Sequence, residues 1–229
     1  MGEKTSIPEF HGSGEIPVYV ARPEGQSEAA VIVVPEIFGV NEGIRQKCDN
    51  WAKLGYVALA PDIFWRFAPG VELSPDVPEQ MQEAFGYFQQ YDADDGVKDI
   101  EAAIRWLRHE QAVDKVGLVG FCLGGRLAYM AAARTDIDAS VGYYGVMIDQ
   151  MLGEAHAIAN PLMLHIPTAD HFVGPEAQAA IHAGLPVSAM GTIVDALTAF
   201  TTSVPDRTMH HVYPWLMDPS QREFFGTLP

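Results

Sequence analysis

The chain has 229 residues, 48% of them hydrophobic and 19% charged, a globular composition that excludes a disordered chain and matches a single domain over residues 1–229. Lys and Arg number 14 against 30 Asp and Glu, a formal charge of −16. Nucleic acid and anionic membrane surfaces both require a basic face, so both are excluded as partners.

The first 25 residues alternate in places, as in Ile16-Pro17-Val18-Tyr19-Val20-Ala21-Arg22, and read as edge strands closed by Pro23-Glu24-Gly25. Ala29 to Val34 is a short run apolar at every position. Gly43 to Leu54 follows with Ile44, Trp51 and Leu54 on one helical side, and Tyr56 to Ala60 is a second apolar run. Asp94 to His109 sets Val97, Ile100, Ile104 and Leu107 three and four apart, with acids at its start, as a helix requires. Val116 to Phe121 is the next apolar run, Arg126 to Arg134 a small-residue helix, and Ala139 to Tyr144 and Pro161 to Ile166 two further runs. Continuous apolar runs suit strands covered on both faces, and their alternation with helices predicts an α/β fold: a mostly parallel sheet with helices on both faces. Ligands gather at the carboxyl ends of such strands, so the residues after each run are the candidates for chemistry.

Gly120-Phe121-Cys122-Leu123-Gly124-Gly125 lies between a predicted strand and a predicted helix. G-x-C-x-G in that context reads as a nucleophile elbow, in which a sharp turn lifts the thiol above the sheet. The N–H of Leu123 would face a developing oxyanion, and the helix N-terminus would favour the thiolate. The alternative is a buried cysteine in a Gly-rich turn. Asp170 lies just past the predicted strand Pro161 to Ile166, where an acid can orient an imidazole or cap the helix begun by Pro175 and Glu176. Glu36, after Val33-Val34-Pro35, either faces the thiol and holds it protonated or is a surface loop residue. In the first case the N–H of Ile37 becomes the second oxyanion donor.

Pro35-Glu36-Ile37-Phe38-Gly39-Val40-Asn41, Pro61-Asp62-Ile63-Phe64, Gly117 to Gly125, Val141-Gly142-Tyr143-Tyr144-Gly145-Val146 and Asp170-His171-Phe172-Val173 together resemble the dienelactone hydrolase family. The resemblance runs from about residue 10 to about residue 185 and implies an α/β-hydrolase fold. It implies Cys122 as nucleophile, Asp170 as triad acid, and Glu36 as acceptor of the thiol proton when substrate binds. The implied reaction is hydrolysis of a small lactone or ester through an acyl-cysteine.

The chain departs from the family pattern in two places. The family's histidine follows a late strand in a Tyr-x-x-x-x-His pattern. The corresponding strand here is Met209 to Pro214, and the fifth residue after Tyr213 is Asp218. No histidine follows His211, and about 186–219 is an atypical segment. His211, nearer the strand's end than His210, is the expected third member; His171 is a weaker choice, and an incomplete triad is the remaining one. The family's substrate-binding arginine in the helix before Asp94 is also absent, the chain reading Glu79-Gln80-Met81-Gln82. Arg66 is the expected carboxylate clamp in its place. Partial loss of the clamp points to a neutral or differently shaped ester, and Phe64, Trp65, Phe67, Phe85 and Phe88 would suit its apolar acyl or alcohol portion, with Phe85 and Phe88 the two expected in the core instead.

No metal or other cofactor is expected: no histidine pair has zinc spacing, and the Gly120–Gly125 turn fits neither phosphate-binding fingerprint. Cys48 and Cys122 form no disulfide framework, and Cys48 reads as a structural residue near Trp51. MGEKTSIPEF holds no apolar signal core and no run approaches a membrane span, so the expectation is a cytoplasmic protein with reduced thiols and a small-molecule lactone or ester as partner. The rival reading is a hydrolase-like protein that binds such a molecule without turning it over. The sequence leaves the oligomeric state open.

Overall fold

The structure is a computed structural model that describes residues 2–10, 12–167 and 169–185. The strands are β1 (Glu3–Pro8), β2 (Glu15–Ala21), β3 (Ala29–Val34), β4 (Val57–Pro61), β5 (Lys115–Phe121), β6 (Ala139–Tyr143) and β7 (Leu162–His165). They form one sheet in the order β1-β2-β4-β3-β5-β6-β7. β1 and β2 are antiparallel to their neighbours, and every pairing from β4 to β7 is parallel. The mostly parallel sheet is as expected, but of the two strands expected at the edge only β1 is one: β2 pairs with β1 on one side and β4 on the other.

The apolar runs have the cause inferred for them. Along β3, Ala30, Ile32 and Val34 face a core built with the helices α3 (Ala93–Glu110) and α4 (Leu123–Arg134), while Ala29, Val31 and Val33 face α1 (Glu42–Lys53). A strand with helices on both sides has no solvent face, so alternation disappears from its sequence. Cys48 and Trp51 are buried on the α1 side, and Cys48 is the structural residue expected.

The helix ends follow from local chemistry. Asn41 accepts a hydrogen bond from the Ile44 N–H at 3.2 Å and starts α1. Asp92 accepts from the Asp94 N–H at 2.9 Å and starts α3, whose first turn is acidic and whose last turn carries Arg108 and His109. α2 (Pro78–Gln90) buries only Ala84 fully. Its Met81, Phe85 and Phe88 share one face by their i, i+4, i+7 spacing and are half-buried over the carboxyl ends of the strands. A 3₁₀ segment, Ile148–Ala157, and a short helix α5 (Pro175–Gly184) flank β7. Among the described residues no helix is long and apolar enough to cross a membrane.

Candidate active site

β5 ends at Phe121 and α4 begins at Leu123, so Cys122 makes the whole turn between strand and helix. Its φ of 52° and ψ of −108° are sparsely populated for a residue with a Cβ. The turn is held from both sides: the Cys122 N–H donates to the Tyr143 carbonyl at 3.0 Å, and the Arg126 N–H donates to the Cys122 carbonyl at 3.1 Å. The flanking glycines are a steric requirement. A Cβ on Gly120 would lie 1.9 Å from the Gly124 carbonyl oxygen, and one on Gly124 would lie 2.3 Å from that of Val34. Strand, elbow and helix can approach this closely only without side chains at these positions.

Cys122 lies in a cavity of about 420 Å³ at the carboxyl ends of the strands, together with Glu36, Ile37, Tyr144, Asp170 and His171. Burial, then the Glu36 charge and, more weakly, Asp170 push the Cys122 thiol from its ordinary 9.0 up to about 12, against the pull of the Leu123 N–H. The helix N-terminus therefore does not prevail: the resting thiol is protonated at neutral pH.

Glu36 is held by a group that sequence reasoning missed. The Tyr144 hydroxyl donates to Glu36 Oε1 at 2.9 Å, and burial and the Glu36 charge raise the Tyr144 hydroxyl strongly. Tyr144 follows β6 with φ 41°, a strained position that turns its ring toward the cavity. The available signal was its place directly after an apolar run, at the carboxyl edge.

Asp170 Oδ1 accepts from the Phe172 N–H at 2.6 Å and the Val173 N–H at 3.3 Å, closing a tight turn. It does not cap α5, whose N-cap is Gly174 without a side-chain bond. Among the described residues Oδ2 makes no hydrogen bond and is available to orient an imidazole. His171 lines the same cavity from its exposed rim. His210, His211 and the segment 186–219 lie outside the described residues. His165, at the end of β7, is stacked on Tyr143 with ring centroids 4.2 Å apart and does not line the cavity. Burial pushes it down to about 4, so it is a neutral core imidazole.

Two expectations are corrected. Arg66 is absent from the cavity wall: its guanidinium forks onto Asp99 (Nη1–Oδ2 2.6 Å, Nη2–Oδ1 2.9 Å), reaches Glu9 at 3.1 Å and lies over the Trp65 ring. Asp99 is buried inside α3 and needs this counter-charge, so Arg66 is structural rather than a substrate clamp. The aromatic residues are also reversed. Phe64 is fully buried against Tyr87 and Tyr91, whereas Phe85 and Phe88 line the cavity. Asp62, in the Pro61-Asp62-Ile63-Phe64 motif, ties its own loop by accepting from the Phe64 and Gly70 N–H groups.

The sequence profile of the Dienelactone hydrolase family matches residues 16–192. The chain belongs to the dienelactone hydrolase family. Carboxymethylenebutenolidase 1 of Cupriavidus pinatubonensis is 36% identical over 169 residues, 73% of this chain and 72% of that protein. The carboxymethylenebutenolidase of Pseudomonas putida is 40% identical over 155 residues, 67% of this chain and 66% of that protein. The fold is shared with the crystal structure of a dienelactone hydrolase from Anabaena variabilis (TM-score 0.58, 17% identity, 80% of both chains). It is shared too with an α/β serine hydrolase without a lid from Xanthomonas campestris (TM-score 0.59, 14% identity, 90% of this chain and 97% of that one). The α/β-hydrolase fold expected from the motifs is thus the observed one, and membership places the chain among the lactone and ester hydrolases.

Proposed function

We propose that this dienelactone hydrolase family member cleaves a small carboxylic ester or lactone through an acyl-Cys122 intermediate. The observation that carries the reading is the strained Cys122 elbow opening into one cavity with Glu36 and Asp170. The names of the carboxymethylenebutenolidase relatives support an enol-lactone or similar ester as substrate.

In the complex Glu36 accepts the thiol proton, and the Cys122 sulfur forms a bond to the substrate carbonyl carbon. The carbonyl oxygen becomes an oxyanion received by the N–H groups of Leu123 and Ile37. Leu123 is the first residue of α4, so its N–H has no partner within the helix. Collapse breaks the carbonyl–oxygen bond of the ester, and the departing oxygen takes a proton from an imidazole that is protonated in the resting complex. A water then attacks the thioester, giving its proton to the now neutral imidazole and so restoring the imidazolium. The carbon–sulfur bond breaks, the thiolate takes back the proton held on Glu36, and the carboxylic acid leaves. We assign the imidazole to His211 on the sequence alone, with Asp170 as the triad acid.

The test compares native protein with Cys122→Ala on a 4-nitrophenyl ester and on a dienelactone. Sustained turnover that disappears in the variant supports the reading. A single stoichiometric burst means attack without deacylation and removes the assignment of the imidazole. Absence of both burst and turnover from folded protein overturns the hydrolase reading for these substrates.

A further inference from the structure

The wall of the cavity is uneven in character. Met81, Phe85 and Phe88 contribute one face of α2, and Phe38, Val146 and Phe172 complete an apolar surface around the thiol. Among the described residues the ionisable groups on the wall are Glu36, Asp170, Cys122, Tyr144 and His171, and no Lys or Arg reaches it. Both carboxylates already act on the cavity, since their charge is part of what keeps the Cys122 thiol protonated. The same field would repel a carboxylate on a substrate, and a cavity with low-dielectric walls strengthens that repulsion.

Phe172 supplies a second, independent sign. Its ring is 65% exposed at the rim of the cavity, 5.9 Å from the Phe85 ring. Its backbone is anchored at the rim, the N–H donating to Asp170 Oδ1 at 2.6 Å. A phenyl ring held in water beside an apolar wall gains free energy when an apolar group covers it. The turn that sets Asp170 for chemistry therefore also sets Phe172 for binding.

We infer that the site takes an uncharged ester or lactone with an apolar acyl or alkyl portion, seated between α2 and Phe172, and selects against substrates bearing a carboxylate. This rests on the hydrolase reading for the identity of the site and departs from it in substrate, since the carboxymethylenebutenolide of the relatives' names carries a carboxylate.

The test uses the full chain and a matched pair of esters, 4-nitrophenyl hexanoate and mono-4-nitrophenyl adipate, which differ by a terminal carboxylate. At pH 8, kcat/KM should favour the hexanoate by about tenfold or more, a difference of about 1.4 kcal/mol or more. Added salt should narrow the gap, because screening weakens repulsion and leaves apolar contact in place. Phe172→Ala should lower kcat/KM for the hexanoate several-fold, and Met81→Arg should raise it for the adipate relative to the hexanoate. Equal or faster hydrolysis of the adipate by native protein overturns the inference while leaving the hydrolase reading intact. Binding is measured separately by calorimetry on Cys122→Ala with 4-phenylbutanamide and 4-phenylbutyrate. Tighter binding of the amide by about tenfold, with neither ester hydrolysed by native protein, sustains the charge selection and removes the hydrolase reading. Equal or tighter binding of the carboxylate overturns the selection whatever the turnover.

Discussion

Replacing Glu36 by Gln should move the reactivity of the thiol and the activity of the site in opposite directions. With the Cys122 thiol at about 12, about one molecule in 10⁴ is thiolate at pH 8, against about a quarter for a free cysteine near 8.5. A more basic thiolate is a better nucleophile, which returns between one and two orders of magnitude. Alkylation of native protein by iodoacetamide should then run about a hundredfold slower than that of free cysteine. Burial is the largest cause of the rise and the Glu36 charge the second, so removing that charge lowers the thiol while burial still holds it up. Each pH unit by which the thiol falls raises the thiolate fraction about tenfold and lowers its nucleophilicity about threefold, so alkylation should accelerate. Ester hydrolysis should fall by about 10²-fold or more, because the group that accepts the thiol proton is gone. Thiolate absorbance at 240 nm against pH gives the titration directly, and mass spectrometry confines the alkylation to Cys122. Slower alkylation of Glu36→Gln, or hydrolysis undiminished by it, would refute the assignment of Glu36 as both restraint and base.

Tyr144→Phe removes the hydroxyl that donates to Glu36 at 2.9 Å. A hydrogen bond to a charged group contributes about 1.5–3 kcal/mol, so kcat for a neutral ester should drop about tenfold with KM little changed, as steady-state kinetics would show. Arg66→Met strips the counter-charge from buried Asp99 and should cost about 3 kcal/mol in denaturant unfolding while KM stays the same; a raised KM for anionic esters would return Arg66 to the substrate. Gly124→Ala drives a methyl against the Val34 carbonyl and should destabilise by about 3 kcal/mol or abolish expression of folded protein. His165 is held down to about 4 by burial, so the unfolded chain binds its proton first as pH falls below about 6.5 and stability is lost across that window, by about 3 kcal/mol at pH 4. His165→Phe, which keeps a ring against Tyr143, should flatten this acid-side loss in calorimetry.

The parts of the fold legible in the sequence share one property: their pattern is set by burial on both sides. Ala29–Val34 is apolar at every position because α1 and α3–α4 cover its two faces. The elbow was legible because close backbone approach permits only glycine at positions 120 and 124. Periodicity in α2 sets Met81, Phe85 and Phe88 on one face, but it does not tell that this face covers a cavity rather than the core, where Ala84 alone is fully buried. The 3₁₀ segment Ile148–Ala157 lacks a side-chain cap and buries only Ile148 and Ala155. Nothing periodic distinguishes such a segment from a loop.

The site divides along the same line. Cys122, Glu36 and Asp170 could be picked out because each follows a strand in a fixed motif, and the fold places all three on one cavity. The roles of Arg66, Phe85 and Phe88 depend on partners distant in the chain, which a linear pattern does not carry. Arg66 answers to Asp99, 33 residues away, and Phe85 to Phe172 across the cavity mouth. The protonation of Cys122 is likewise a property of its assembled surroundings. A cysteine at a helix N-terminus reads as an activated thiolate, yet burial and two carboxylates outweigh one N–H donor. A resting thiol of this kind is poorly reactive toward electrophiles in solution. In the mechanism we propose, its activation depends on Glu36, which Tyr144 holds in place, and on a substrate whose apolar portion fits the wall. Selectivity at this site thus begins with the charge of the cavity, before the chemistry of the thiol.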